Sequence, residues 1–225
     1  MKEKIFDAFL KMAQKNGTVN VSLSMLASEL GMSKANFYTY FPDKETLLFE
    51  MIMNKKQEIL ENASKVIAPE VDPVQKLRVF IKGGVNSYIH NRNYWMVFME
   101  IMINKLIKDK EKLYRLSTFR KNILNLLASI YSELYEKKFF NTYIDVNRLS
   151  IYTFGVLHSV MMDIEIMLRG KDFTQIDDFC EIHEDFSKFE VTDENIEKTK
   201  KVADEICEDL CKILINGLKH KEDRV

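Results

Sequence analysis

At 225 residues, with 46% hydrophobic and 30% charged side chains, the chain has an ordinary globular composition and length enough for one domain or two modest ones. Seven glycines and three prolines suit long helices with short connections, and a formal net charge of −1 argues against a protein that coats nucleic acid indiscriminately. No uncharged apolar run of about eighteen residues predicts a membrane span, and the start MKEKIF lacks the apolar stretch of a signal peptide.

Helical periodicity runs through nearly the whole chain, without a convincing strand pattern, so the expected class is all-α with about nine main helices. The first helix is expected over 3–16, with Ile5, Phe6, Phe9, Leu10 and Ala13 inward, ended by Asn16-Gly17. Residues 22–46, SLSMLASELGMSKANFYTYFPDKET, then read as two short helices around a glycine turn, followed at once by a third helix start. Ser22 N-caps the first, whose inward positions are Leu23, Leu26, Ala27 and Leu30. Gly31 stands where the chain reverses, a position suited to positive φ. Ser33 caps a second helix that buries Phe37 and leaves Lys34, Asn36, Thr39 and Tyr40 to face outward. Pro42-Asp43 stops it, and Asp43 caps a long helix over about 44–64.

Asp72-Pro73 restarts the chain in a helix to about Arg92, with Gly83-Gly84 as a weak or kinked point. Asn93 is expected to cap an apolar helix from Tyr94 to Ile107. Further helices are expected over about 109–138, 146–168 (after Asp145) and 193–218. The acidic, phenylalanine-rich stretch between Gly170 and Val191 reads as a solvated loop with a short amphipathic helix, or alternatively as a lid or an arm toward a partner. Its role is open at this level.

Two helices around a tight turn are the layout of a DNA-reading helix-turn-helix. The segment resembles the DNA-binding domain of the TetR family of bacterial transcriptional regulators. The resemblance is carried by the helix Ile5 to Gln14, Leu26-Ala27, Gly31-Met32-Ser33-Lys34, Phe37-Tyr38, Tyr40-Phe41, and Asp43-Lys44-Glu45 with Leu47-Leu48. It implies a DNA-binding domain over residues 1–50 and a helical effector-binding and dimerisation domain over 51–225. It also implies that Lys44 contacts phosphate at the start of the fourth helix, and that Tyr38 and Tyr40 touch the sugar-phosphate backbone or flanking bases. For Tyr38, packing between helices is an equal alternative. The Ser22 and Ser33 hydroxyls are further candidates for backbone contact, although capping suffices for both. Asn36 is the candidate for reading adenine and Thr39 for a thymine methyl. Through Lys56, eight lysines face six acids, and the first arginine is Arg78. Without arginine, the usual bidentate reading of guanine is unavailable, so adenine–thymine contacts and duplex shape are expected to specify the operator.

The resemblance further implies a homodimer formed through the last two helices. Gly155 and Ser159 are small residues four apart, and Ala203, Ile206, Leu210, Leu214 and Gly217 make a stripe on the final helix. Between Phe80 and Leu168 methionines and rings concentrate, a composition suited to greasy ligands as well as to an ordinary core. Tyr88, Trp95, Phe98, Met99 and Met102 are pocket candidates from its first half. Phe119, Phe154, His158, Met161 and Met162 are those from its second. Glu100 interrupts an apolar run, but Asn93, Glu100, Asn104 and Lys108 share a helical stripe and are read as a wet face. Cys180, Cys207 and Cys211 form no disulfide framework, which fits a reducing cytoplasm. With His183 they offer zinc or copper ligands, against the simpler reading that helix cysteines fill core space; no metal or cofactor is expected.

The function expected is therefore a cytoplasmic DNA-binding regulator, a repressor released from double-stranded operator DNA by a small, largely hydrophobic effector. The alternative is an architectural or interaction protein that binds DNA in the same way without such an effector. Four scattered histidines and no nucleophile, phosphate-loop or HExxH motif give no basis for an enzyme. The effector, the operator sequence and the sign of regulation are not legible in the sequence.

Overall fold

The structure is a computed structural model that describes residues 1–70, 72–140, 144–168 and 192–218. Among these residues there are nine α-helices and a short 3-10 turn, Thr18–Asn20. The helices are α1 (Lys2–Asn16), α2 (Leu23–Glu29), α3 (Lys34–Tyr40), α4 (Lys44–Ile67), α5 (Pro73–His90), α6 (Arg92–Ile103), α7 (Lys110–Glu136), α8 (Val146–Leu168) and α9 (Asp193–Leu218). The all-α class and the helix count expected from periodicity are what the structure has. The stretch between Gly170 and Val191, with Cys180 and His183, lies outside the described residues.

Side chains that can accept from the first free N–H groups start most of these helices. The Asp72 carboxylate accepts the N–H of Val74 at 3.1 Å, just ahead of Pro73 in the first turn of α5. Asp109 accepts from Lys112 at 2.8 Å, Asp145 from Asn147 and Arg148 at 3.1 Å each, and Thr192 from Asn195 at 3.2 Å. Helix ends are less regular. Three of them close with paired 6→1 and 5→2 backbone bonds around a residue at positive φ: Gly31 (63°), Lys105 (50°) and Lys138 (58°). At Lys105 the bonds run from Leu106 N–H to Ile101 at 3.0 Å and from Lys105 N–H to Met102 at 3.2 Å. This closure ends α6 at Ile103, four residues short of the expected Ile107, because a lysine takes the left-handed position. At its other end α6 begins at Arg92 behind Asn91, and the expected cap, Asn93, lies inside the helix. α5 is continuous through Gly83-Gly84 and stops at His90.

The described residues fall into two compact bodies. The first comprises residues 1–58 and 91–117. Its core is built from Ile5, Phe6, Phe9 and Ala13 of α1, Leu26 and Ala27 of α2, Phe37 and Phe41, Leu47, Leu48 and Ile52 of α4, and Tyr94, Val97 and Ile101 of α6, all buried. The Phe41 ring sits 5.6 Å from Phe6 and 6.4 Å from Phe37. α1 packs against both α2 and α6. Tyr94 donates to the Ile52 carbonyl at 3.4 Å, and burial pushes its phenol far above the ordinary value.

The second body takes 59–90, 118–168 and 192–218, with α5, α8 and α9 packed on one another. α8 turns Leu149, Thr153, Leu157, Val160, Ile164 and Leu168 inward, at the four- and three-residue steps of one helix face. α9 contributes Thr199, Ala203, Cys207, Leu210, Cys211 and Ile215. Thus Ala203 and Leu210 of the stripe expected at a dimer interface are buried in their own body, while Ile206 and Leu214 are half-buried and Gly217 is exposed. The Tyr131 hydroxyl and Thr153 share a 2.6 Å hydrogen bond, and burial raises the Tyr131 pKa to about 12. Glu208 of α9 ties down α5 through Arg78 and, at 2.7 Å, Lys82. By length and composition α8 is, among the described residues, the one helix that could cross a membrane.

Candidate nucleic-acid interface

The helix-turn-helix is set by local chemistry. Ser22 accepts the N–H of Met25 at 3.2 Å and Ser33 that of Asn36 at 3.2 Å, so both hydroxyl oxygens cap helices as the sequence suggests. Between them Gly31, at φ 63°, closes α2 with bonds from Met32 N–H to Ala27 at 2.8 Å and from Gly31 N–H to Ser28 at 3.1 Å. α3 then anchors itself through the fully buried Phe37. Its other faces carry Lys34, Asn36, Tyr38 and Thr39, all exposed, with Tyr40 half-buried. Tyr38 is 45% exposed, which counts against interior packing as its role. The Thr39 hydroxyl donates to the Asn36 carbonyl at 2.6 Å, so its methyl is the part not committed to the helix.

Lys44 is placed differently from the expectation. Its ammonium donates to the carbonyls of Thr18 and Val19, at 2.7 and 2.8 Å, and partial burial lowers its pKa. Two of its three N–H groups thereby fasten α4 to the 3-10 turn, and the third is not spent on these bonds. From the opposite side, Glu100 of α6 accepts the Thr18 N–H at 2.7 Å. Glu100 is therefore an internal anchor and not part of a wet face, a correction to the stripe reading. The 3-10 turn has no periodicity to announce it, so its two grips are invisible until the helices are assembled.

The first turn of α4 is held a second time. Asp43 caps it through Thr46, N–H to Oδ1 at 2.6 Å, and that hydrogen bond holds the Asp43 carboxyl below its ordinary pKa. Glu45 accepts the N–H groups of Lys108 and Asp109 at 3.0 and 2.7 Å, and Lys112 donates to Thr46 at 3.1 Å. The short segment between α6 and α7 is thus docked on the residues that follow the recognition helix.

The ten residues expected to line a ligand pocket divide between the bodies. In the first, Trp95 and Phe98 form a ring cluster with Tyr94, at centroid distances of 5.3 to 6.3 Å, while Met99 is half-buried and Met102 is 40% exposed. Lys56, unmarked in the sequence reading, lies over Phe98 at 4.3 Å and Trp95 at 5.3 Å, and burial lowers its pKa to about 8. In the second body, Tyr88 and Phe119 are buried and Phe154, Met161 and Met162 half-buried. Tyr88 donates to Glu165 at 3.3 Å, and the Arg120 guanidinium lies 5.5 Å over the Phe154 ring. His158 is exposed: it follows the inward Leu157 by one position, about 100° around the helix, and does not line the interior of its body. The cavity recorded in the second body, about 300 Å³, is lined by Asp72, Val74, Arg78, Phe139, Lys212, Ile215 and Asn216, none of them among the ten. Cys207 and Cys211 are buried, and burial pushes their thiols up to about 11.

Residues 5–51 match the family described as bacterial regulatory proteins, tetR family. An uncharacterized HTH-type transcriptional regulator of Bacillus subtilis, YerO, is 27% identical over 169 residues, which are 71% of this chain and 54% of the relative. The fatty acid metabolism regulator protein of Bacillus subtilis is 23% identical over 130 residues, 58% of this chain and 66% of the relative. The chain therefore spans between half and two thirds of the length of these curated relatives. In three dimensions it is similar to the transcriptional regulator FadR from Bacillus subtilis in complex with stearoyl-CoA, at a TM-score of 0.67 and 17% identity, over 96% of this chain and 99% of that one. The family match thus assigns residues 5–51 to the amino-terminal domain of tetR-family bacterial regulatory proteins, and along nearly its whole length the chain shares its all-helical fold with that Bacillus subtilis regulator.

Proposed function

We propose that the protein is an operator-binding repressor that acts as a homodimer and leaves its DNA when it binds a small, largely hydrophobic effector. The observation that carries the DNA half is α3 itself: capped by Ser33, nailed down by Phe37, and offering Lys34, Asn36, Tyr38 and Thr39 to the outside. A helix so presented fits the major groove, with Asn36 reading adenine and Thr39 reading a thymine methyl. Lys44 adds a phosphate contact through its remaining N–H, and Ser22, Ser33 and Tyr40 flank it. Residues 1–50 are the reading domain under this assignment, and 51–225 bind the effector and dimerise.

A single module of this size makes few base contacts, so a two-fold pair reading half-sites about 34 Å apart is required for useful specificity. α8 offers an apolar strip for that pairing, with Ile151, Tyr152 and Val156 at 47, 58 and 43% exposure beside the exposed Gly155 and Ser159. The effector reading draws on the neighbouring regulator that holds stearoyl-CoA and on the rings and methionines of α5 to α8. Regulation then requires that the effector bind one arrangement of the dimer more tightly than the DNA-competent one.

The test is fluorescence anisotropy on a labelled duplex from the region upstream of the protein's own gene, with and without stearoyl-CoA and with extracted cellular lipids. Saturable binding that is released by a lipid fraction is the expected result. Binding that no fraction relieves would replace the repressor reading with the architectural one.

A further inference from the structure

We propose that the corner between α6 and α7, from Lys105 to Lys110, is a second phosphate-contacting surface that lies against duplex DNA beside the helix-turn-helix. The inference rests on the operator-binding reading above and extends it to residues outside the reading domain. Its first support is position. Glu45 accepts the backbone N–H groups of Lys108 and Asp109 at 3.0 and 2.7 Å. Lys112 reaches Thr46 at 3.1 Å, and the Arg115 guanidinium lies 4.9 Å over the Phe49 ring. The corner is therefore pinned to the first turn of α4, immediately after the recognition helix and its stop.

Charge is the second support. Between Lys105 and Arg115 stand five basic side chains and two acidic ones, Asp109 and Glu111, a larger positive excess than that of the first 56 residues. The Asp109 carboxylate is occupied in capping α7. Lys112 and Arg115 hold the corner in place, which leaves Lys105, Lys108 and Lys110, all exposed, as the outward charges. Among the described residues none of these three has a carboxylate within ion-pair distance, a state they share with other exposed lysines such as Lys4, Lys11 and Lys15, so their charge is open to an outside partner. Lys34, on the recognition helix, is likewise free of an ion pair among the described residues.

Need is the third. A helix-turn-helix holds its register through phosphate contacts that flank the recognition helix. Here the reading domain has no arginine, and Lys44 spends two of its N–H groups on the carbonyls of Thr18 and Val19. The backbone of Lys108 is bonded to Glu45, the residue after Lys44, and three long, flexible, strongly hydrated ammonium groups suit phosphate without sequence preference.

The experiment compares the full-length protein with the triple variant Lys105→Gln, Lys108→Gln and Lys110→Gln, and with Lys108→Gln and Lys110→Gln singly. The probes are the upstream fragment and a mixed-sequence duplex of about 40 base pairs, roughly four helical turns. Affinity is measured against salt concentration, with helix content followed by circular dichroism. The expected result is a slope of log K on log salt that shrinks by about 0.9 for each phosphate released, so by about 2 to 3 in the triple variant, on both probes. Ethylation interference should lose outer phosphates and keep those at the recognition helix. A slope unchanged in a normally helical triple variant overturns the corner contact while leaving the repressor reading intact. Should the triple variant misfold, the single variants carry the same test, each expected to lower the slope by about 0.9. A parent protein that retains neither duplex at low salt overturns both.

Discussion

Lys56 shows how a single side chain can set a pH dependence for the fold. It is 8% exposed, with its ammonium against the Phe98 and Trp95 rings, and burial lowers its pKa from 10.5 to about 8. The folded state therefore releases this proton more readily than the unfolded chain. Below pH 8 the charge is present in both states and the burial penalty is fully felt. Between about 8 and 10.5 the unfolded state binds more protons, so stability rises with pH across that window. Replacing Lys56 with methionine, which keeps the stem and drops the charge, is expected to raise the thermal midpoint at pH 7, by about 2–4 °C for each kcal/mol gained in a chain of this size. The advantage should shrink as the pH approaches 10.5. A gain that is equal at pH 7 and pH 10 would point to packing and not to ionisation.

At the scale of elements, the first turn of α4 joins reading and scaffolding. Lys44 cross-links it to the 3-10 turn, and Glu45 docks it on the α6–α7 corner. Lys44→Ala removes both a phosphate donor and that cross-link, whereas Asn36→Ala removes only a group on the open face of α3. The first variant should therefore bind every sequence more weakly, with a salt slope lower by about one, and lose helical stability as well. The second should keep its stability and its salt slope, and relax its choice of base at one position of a selected site by about 1–3 kcal/mol. Selection from randomised duplexes, with melting curves for both variants, separates the two; guanine at the Asn36 position would contradict the adenine assignment.

The same elements show what a sequence can and cannot disclose. α2, α3 and the starts of α4, α5, α7 and α8 are legible because Ser22, Ser33, Asp43, Asp72, Asp109 and Asp145 act within three residues of themselves. The end of α6 is not, because its left-handed position is filled by Lys105 where a reader looks for glycine. Glu100, Lys56 and the 3-10 turn stay hidden for a different reason. Their roles depend on partners 82 positions away for Glu100 and some 40 for Lys56, which no local pattern encodes.

For the whole molecule, the question is what covers the outer side of α8. Its inward face is spent on α5 and α9, yet the opposite side carries Ile151, Tyr152 and Val156 with Gly155 and Ser159 between them. Apolar residues at these steps make a strip about 140° wide, enough for a helix contact face, and the two small residues allow a second helix to approach closely. A second copy of the same face would satisfy it with two-fold symmetry, the symmetry that a pair of half-sites calls for. Placing glutamate at Tyr152 and Val156 together puts like charges directly across such an axis without touching the residues buried within the protomer. Sedimentation should then report a monomer with unchanged helix content. On the upstream fragment, protection should contract from two half-sites to one or vanish at concentrations where the parent protects both. A double variant that still sediments as a dimer would assign the pairing to another surface, and the exposed Ile213 of α9 would be the next position to alter.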